Sequence, residues 1–343
     1  MRTLTISSKQ NKVFKYSILV VSVVLLAILC LLSVSLGRLS IPISDCIGAF
    51  FGKSVPTTVH HVIFQLRLPR LLGAIAVGAA LAVSGSVYQS IFQNPLVSPD
   101  LLGVSSGSCA GAAIAIVMGL GNIYITMFSF LAGMISVAIC IGISLIAKNR
   151  SPLILVFSGV IVGRFMDSLV GIIKYFADQE SQLGDIVNWQ LGTLSKVTLV
   201  NVKIMLPIIL LCLAFVLLLR WRVNLISIGE KEAASLGVNV ALERMIFIFL
   251  STLLTATSVC FCGTIAWVGL IIPHIARWLI GSDNRLSLPL CALLGSNFMV
   301  AADLIARAST DYELPLGVIT GLCGAPIFAI ILLRKSKVGN RYE

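Results

Sequence analysis

The chain has 343 residues, 58% of them hydrophobic and only 11% charged. A soluble domain carries about 25% charged residues, so this composition excludes a water-soluble globular protein and indicates a polytopic membrane protein. The net charge of +11 does not indicate nucleic acid, because the basic residues are dispersed at the ends of apolar runs rather than gathered in a patch.

Four basic residues, Arg2, Lys9, Lys12 and Lys15, precede an apolar run at 16–36. That run is too long for a signal-peptide core and no Ala-x-Ala site follows, so it reads as the first membrane helix. A polar loop, 37–60, leads into the stretch 64–107. Residues 71–92 carry no charge and reach about 33 Å as a helix, enough to cross a bilayer. Arg67 and Arg70 flank Pro69 at one end, and Asn94-Pro95-Leu96 breaks the other. Gly73, Ala74, Gly78, Ala79, Ala80, Ala82, Ser84, Gly85 and Ser86 make this shaft small on several sides. Such a helix packs among other helices rather than in lipid.

Further apolar segments follow at about 101–119, 123–147, 153–174, 202–219, 245–262, 264–280, 286–306 and 314–333, giving ten predicted spans. Gly103, Gly107 and Gly111, and again Gly159 and Gly163, recur at four-residue spacing, a close-packing pattern. Residues 175–200 read as a polar loop carrying a short helix, and 220–244 as the most soluble-looking part of the chain. With the N-terminus inside, 16 of the 25 Lys and Arg fall on inner segments and 8 on outer ones, with Arg164 within the fifth span. This bias predicts both termini in the cytosol, Arg67, Arg70 and Arg307 outside, and 220–244 inside.

Motifs for chemistry are missing. There is no GxxxxGK[ST], HExxH or GxSxG, so no P-loop nucleotide site, zinc-protease site or nucleophile elbow is expected. The nine cysteines lie mostly in apolar runs without a CxxC and read as small core residues. His60-His61 are adjacent and do not converge on one metal; His274, after Pro273, reads as a satisfied helix-end residue. No catalytic residue, metal site or cofactor is expected, and the chain reads as a transporter rather than an enzyme. Arg164 and Asp167, three apart, can pair on one helix face, as an ion relay or as a neutralised pair. Gly229-Glu230-Lys231-Glu232-Ala233-Ala234-Ser235-Leu236-Gly237 reads as a short cytosolic helix with acids in its first turn and glycines at both ends. Its Leu236 and alanine faces want a partner surface.

Five blocks in order, RLPRLLGAIAVGAALAVSG (67–85), QNPLVSPDLLGVSSG (93–107), GEKEAASLGV (229–238), GTIAWVGLIIPHIAR (263–277) and LPLGVITGLCGAPIF (314–328), resemble the FecCD-type permease subunits of type II ABC importers. Those import iron–siderophore complexes, haem and vitamin B12. The resemblance spans nearly the whole chain and implies an all-α polytopic fold of ten transmembrane helices, a single permease domain over 1–343. It further implies a bacterial cytoplasmic membrane location, a second permease subunit (the same chain or a paralogue), two copies of a P-loop ATPase and a periplasmic or lipoprotein substrate-binding protein. Membrane lipid is the remaining partner, and nucleic acid is not one.

By the same resemblance, Arg67, Arg70 and Arg307 match arginines that meet carboxylates of the binding protein. As exposed ion pairs they contribute about 0.2–1 kcal/mol each, so their work is orientation and encounter. Gly229, Glu230, Ala233, Leu236 and Gly237 match the ATPase-coupling helix. Asn94, Pro95 and Leu96 match an inner gate, and Ser151 lies near a second constriction. The expected cargo is a ferric siderophore entering a cavity between two permease subunits, lined largely by the 71–92 helix and its neighbours. The alternatives are vitamin B12, haem or an oxyanion on the same machine, or an ion-coupled secondary transporter using Arg164–Asp167.

Overall fold

The computed structural model describes residues 8–37, 39–52, 55–147, 152–309 and 312–339. These residues form fifteen α-helices: α1 (Ser8–Ser35), α2 (Ile43–Phe50), α3 (Thr57–His61), α4 (Leu68–Ile91), α5 (Val104–Val117), α6 (Asn122–Ile146), α7 (Pro152–Phe176), α8 (Gln182–Gln190), α9 (Leu199–Leu218), α10 (Arg220–Ile228), α11 (Glu230–Ser235), α12 (Val240–Cys262), α13 (Val268–Ile280), α14 (Asn284–Ala308) and α15 (Leu316–Gly339).

Among the described residues, seven helical runs are long and apolar enough to cross a membrane: Val13–Ser35, Thr57–Ile91, Asn122–Ile146, Pro152–Phe176, Leu199–Leu218, Val240–Cys262 and Asn284–Ala308. The other three predicted spans are shorter apolar helices, Val104–Val117, Val268–Ile280 and Leu316–Ile331. Two of them are short for a visible reason. Gly103 starts α5 late, in a left-handed turn (φ +77°) that follows a 3-10 turn at Pro99–Leu102. Helix α13 begins only at Val268 because 263–267 is irregular, with Gly263 at φ +70° and Trp267 at φ +73°. The Thr193 N–H donates to the Cys262 carbonyl there at 2.7 Å, so a tertiary contact takes over a carbonyl at the helix end.

Thr57–Ile91 is continuous because α3 joins α4 through a π-helical turn, Val62–Arg67. Pro69 has no N–H to give an α-helical ladder, and the widened turn upstream absorbs the mismatch, with the Leu68 N–H bonding the Ile63 carbonyl.

Helix α4 is the centre of the subunit. Of its 24 residues 21 are buried, and it packs on α14, α12, α13 and α9. The small residues set these distances. A Cβ on Gly78 would lie 2.3 Å from the Gly295 carbonyl oxygen, and one on Gly85 would lie 1.8 Å from that of Gly269. Backbones touch at both crossings, so no side chain can yield. Gly85→Ala is therefore expected to cost about 3 kcal/mol or more, seen as a lower melting temperature and poor monodisperse yield in detergent. A wild-type melt would refute this packing.

A helix enclosed by α9, α12, α13 and α14 has little open surface of its own, and the open faces of the subunit belong to other helices. One such face belongs to α7, which packs through one side on α5, α6 and the Pro99–Leu102 turn.

Candidate functional site

At the Arg67 end of α4, three guanidiniums converge. Arg67, Arg70 and Arg307 are all less than a tenth exposed. They are not the free, solvent-facing cations expected from the sequence. Arg67 donates to the carbonyls of Val34, Ser35 (2.9 Å) and Leu39. Arg307 donates to the Ser33 carbonyl (2.5 Å), the Ser33 hydroxyl (2.6 Å) and the Leu36 carbonyl (3.2 Å). The Ser33, Val34 and Ser35 carbonyls are among the last of α1, which have no partner within their own helix and carry about half a negative charge between them; Leu36 and Leu39 follow just beyond it. Two arginines from α4 and α14 thus cap the C-terminus of α1.

Arg70 faces the carboxylates instead. Its Nε donates to Asp303 Oδ1 at 2.6 Å and its Nη1 to Glu313 Oε2 at 2.8 Å. Asp303 Oδ2 also lies 3.3 Å from Arg307 Nε, an ion pair without hydrogen-bond alignment. The cage holds three positive groups against two carboxylates, and the α1 terminus supplies the remaining negative end. Asp303 side chain is 1% exposed, whereas that of Glu313 is 34% exposed, so Glu313 is the member of the cage that reaches solvent.

At the other end of α4 the chain turns sharply through Gln93 (φ +48°) into Asn94-Pro95-Leu96, all four exposed. Asn94 Oδ1 accepts from the Leu96 N–H at 2.9 Å, a local turn that suits Asn. The loop is braced from α13: the His274 ring nitrogen bonds the Pro95 carbonyl at 2.8 Å. Gln89, buried in the last turn of α4, donates to the carbonyls of Val97 (3.1 Å) and Leu270 (3.2 Å) and accepts from Arg277. Gln93 reaches across to the Ile226 carbonyl of α10 at 3.3 Å. His274, Gln89, Gln93 and Arg277 are thus the residues that hold this loop. Ser151 lies outside the described residues.

Helices α10 and α11 meet at Gly229, whose φ of +138° and ψ of 154° exclude a side chain without strain. A Cβ there would also lie 2.3 Å from Glu232 Oε2. Gly237, at φ +80°, ends the element in the left-handed conformation typical of a helix stop. Ala233 is fully buried against the subunit, while Leu236 is 63% exposed. Glu230 anchors the start of α11 by accepting from Arg244 of α12 at 3.0 Å, and Arg222 of α10 pairs with Glu243. Nearby, Asp283 caps α14. Burial pushes its carboxyl up, but the Arg285 N–H, the Asn224 amide and the charges of Arg285 and Lys15 outweigh that and hold it below the usual carboxylate range.

The five predicted coupling positions therefore sit on one short element, and the exposed gate triplet sits next to it through the Gln93–Ile226 bond. The arginine cage lies at the opposite end of α4, about 36 Å away by helical rise over its 24 residues. Sequence reasoning had the arginines, but not Glu313, Gln89, Gln93 or the tasks of Asp303 and His274. These have no periodic signature, since each acts through a contact distant along the chain.

Among known proteins, the chain is 38% identical over 319 residues to the molybdate import system permease protein MolB of Haemophilus influenzae, covering 92% of this chain and 95% of that protein. It is 40% identical over 285 residues to the probable iron chelatin transport system permease protein of Helicobacter pylori (strain 26695), covering 81% and 84% respectively. A solved inward-facing ABC transporter, assigned to the metal-chelate type, superposes with a TM-score of 0.86 at 37% identity, over 93% of this chain and 99% of that one. The profile of the FecCD transport family matches residues 25–334. With that match across nine-tenths of its length, and no nucleotide motif of its own, the chain belongs to the FecCD transport family, as a permease subunit without ATPase activity.

Proposed function

We propose that this chain is the membrane-spanning half of an ATP-driven importer for a metal chelate or oxyanion. It sits in a bacterial cytoplasmic membrane with both termini in the cytosol, the three short helices completing ten crossings. It works with a second permease subunit, identical or paralogous, two copies of an ATPase, and a binding protein that delivers cargo from outside. The cargo range is drawn from the relatives, one named for molybdate and one for iron chelatin. That range supports the broader alternative better than a ferric siderophore alone, which remains one member of it.

The observation that carries this reading is the link between α11 and the gate loop. Leu236 stands exposed on a helix whose other face is buried at Ala233, and α10, one glycine away, holds Gln93 at the head of the Asn94-Pro95-Leu96 loop. A partner that grips Leu236 and moves α11 moves α10, and with it the loop. Gly229, Glu230, Ala233, Leu236 and Gly237 form the coupling element; Asn94, Pro95 and Leu96 form the gate it works on, with Ser151 assigned to the second constriction.

At the outer end the arginines divide their work. Arg67 and Arg307 hold the α1 terminus, and Arg70 is the docking cation, because its partner Glu313 is partly exposed and open to exchange. A carboxylate on the binding protein takes the place of Glu313 on Arg70.

Reconstitution tests the whole reading. In proteoliposomes holding the permease pair, the ATPase and the binding protein, uptake of molybdate or a ferric chelate is expected only with ATP inside the ATPase-accessible compartment. Uptake that persists without any ATPase subunit, driven by an ion gradient, would overturn it in favour of a secondary transporter.

A further inference from the structure

Helix α7 carries an ion pair where a membrane helix rarely tolerates one. Arg164 lies twelve residues from either end of Pro152–Phe176, so it sits near the middle of the span. Its side chain is 83% exposed and that of its partner Asp167 is 50% exposed. Ser168 and Gly171, on the same helical stripe, are also exposed. A face like this does not lie against lipid tails. A second, independent feature sits at the same depth. The irregular segment that follows α4 climbs back to mid-span: a Cβ on Gly159 of α7 would lie 2.1 Å from the Leu101 carbonyl oxygen, and one on Gly103 would lie 3.2 Å from Gly163 N. Asp100, within that segment, is exposed. A broken helix at membrane depth is tolerated where it packs against protein or lines a water-filled cavity, and an exposed carboxylate such as Asp100 is costly against lipid tails. The neighbouring apolar stripe of α7, Ile161, Phe165 and Ile172, is equally exposed and suits lipid or a second subunit, with Ser168 at the border between the two stripes.

The charges on the wet stripe differ in how firmly they are held. Asp100 accepts from the Ser105 hydroxyl, and Lys174, further along α7, donates to Gln190. Arg164 Nη1 stands 3.6 Å from Asp167 Oδ2, beyond hydrogen-bond reach. Its guanidinium is largely exposed, and its donor fork matches anionic oxygens.

Resting on the importer reading above, we propose that the Arg164–Asp167–Ser168 stripe walls the water-filled passage between the two permease subunits, and that Arg164 biases this passage toward anionic, oxygen-rich cargo. The shared chemistry covers an oxyanion and a negatively charged chelate.

The test uses the full-length chain in proteoliposomes with Cys323, an exposed native thiol, changed to serine, and Ser168→Cys as the probe. Small water-borne thiol reagents, one anionic (sulfonatoethyl methanethiosulfonate) and one cationic (its trimethylammonioethyl counterpart), are expected to label it. Arg164→Gln is expected to lower the anionic-to-cationic rate ratio about fivefold, and Asp167→Asn to raise it. Labelling by neither reagent puts the stripe against lipid or protein and overturns the proposal; so does a ratio unchanged by Arg164→Gln. Because labelling needs neither ATP nor ATPase, its failure is separable from failure of the importer reading. Uptake of molybdate against that of a ferric tris-catecholate then distinguishes the two anion sources, with Arg164→Gln raising KM for the one carried and Arg164→Lys restoring part of it. An unchanged KM counts against the proposal.

Discussion

Asp303→Ala is expected to destabilise the subunit by about 3–5 kcal/mol, because it strips the buried cage of its central anion and leaves Arg70 and Arg307 facing each other in a low-dielectric site. Asp303 is 1% exposed, accepts from Arg70 at 2.6 Å and stands 3.3 Å from Arg307, so water cannot replace it. The measurement is thermal unfolding of the purified subunit in detergent, with size-exclusion profiles before and after heating. Two companion variants give the result its meaning. Glu313→Ala removes the other carboxylate, but from a partly exposed position, and is expected to cost no more than about 1 kcal/mol. Asp303→Asn keeps an acceptor for Arg70 while losing the charge, and should fall between the two. A melt for Asp303→Ala within about 0.5 kcal/mol of wild type would show that the cage carries no structural charge balance.

Leu236→Arg is expected to abolish ATP-driven uptake, by at least about a hundredfold, while leaving the isolated permease as stable as the wild type. The side chain is 63% exposed, and surface substitutions of this kind usually shift stability by less than about 0.5 kcal/mol. Its effect comes from the partner: a charge driven into an apolar contact costs several kcal/mol unless it finds an opposite charge. Ala233→Leu provides the contrast. Ala233 is fully buried, so the larger side chain overpacks the seat of α11 and costs about 1–3 kcal/mol of fold stability before any partner is present. Uptake and ATP hydrolysis measured together on both variants separate coupling from folding. Normal uptake by Leu236→Arg would remove α11 from the coupling path.

Much of the fold was legible in the order of residues. Long uncharged runs announce spans because a bilayer admits backbone only with its hydrogen bonds closed locally, and seven such runs are full-length helices. The crowding of Gly, Ala and Ser at 73–86 announced a helix packed by helices, and α4 is the most enclosed element of the subunit. The glycines at 229 and 237 announced turns, since few other residues accept their backbone angles. What misled was composition read without contacts. GTIAW at 263–267 is apolar enough to continue a helix, yet its backbone is held irregular by the loop before α9. Arginines beside a proline at a helix end look solvated, but Arg67 and Arg307 turn inward to a helix terminus more than thirty residues or most of the chain away.

Sequence alone determined that this chain is a polytopic membrane protein, that it carries no P-loop motif, and where its apolar spans and glycine turns lie. These are properties of local composition and spacing, and local physics reads them directly. Tertiary structure alone decided how each charge is spent. The same residue type caps α1 at Arg67 and Arg307, balances carboxylates at Arg70, ties α4 to α13 at Arg277 and stands open at Arg164. Coulomb energy and desolvation depend on what lies within a few ångströms in space. For these arginines, the groups that matter come from helices far apart along the chain.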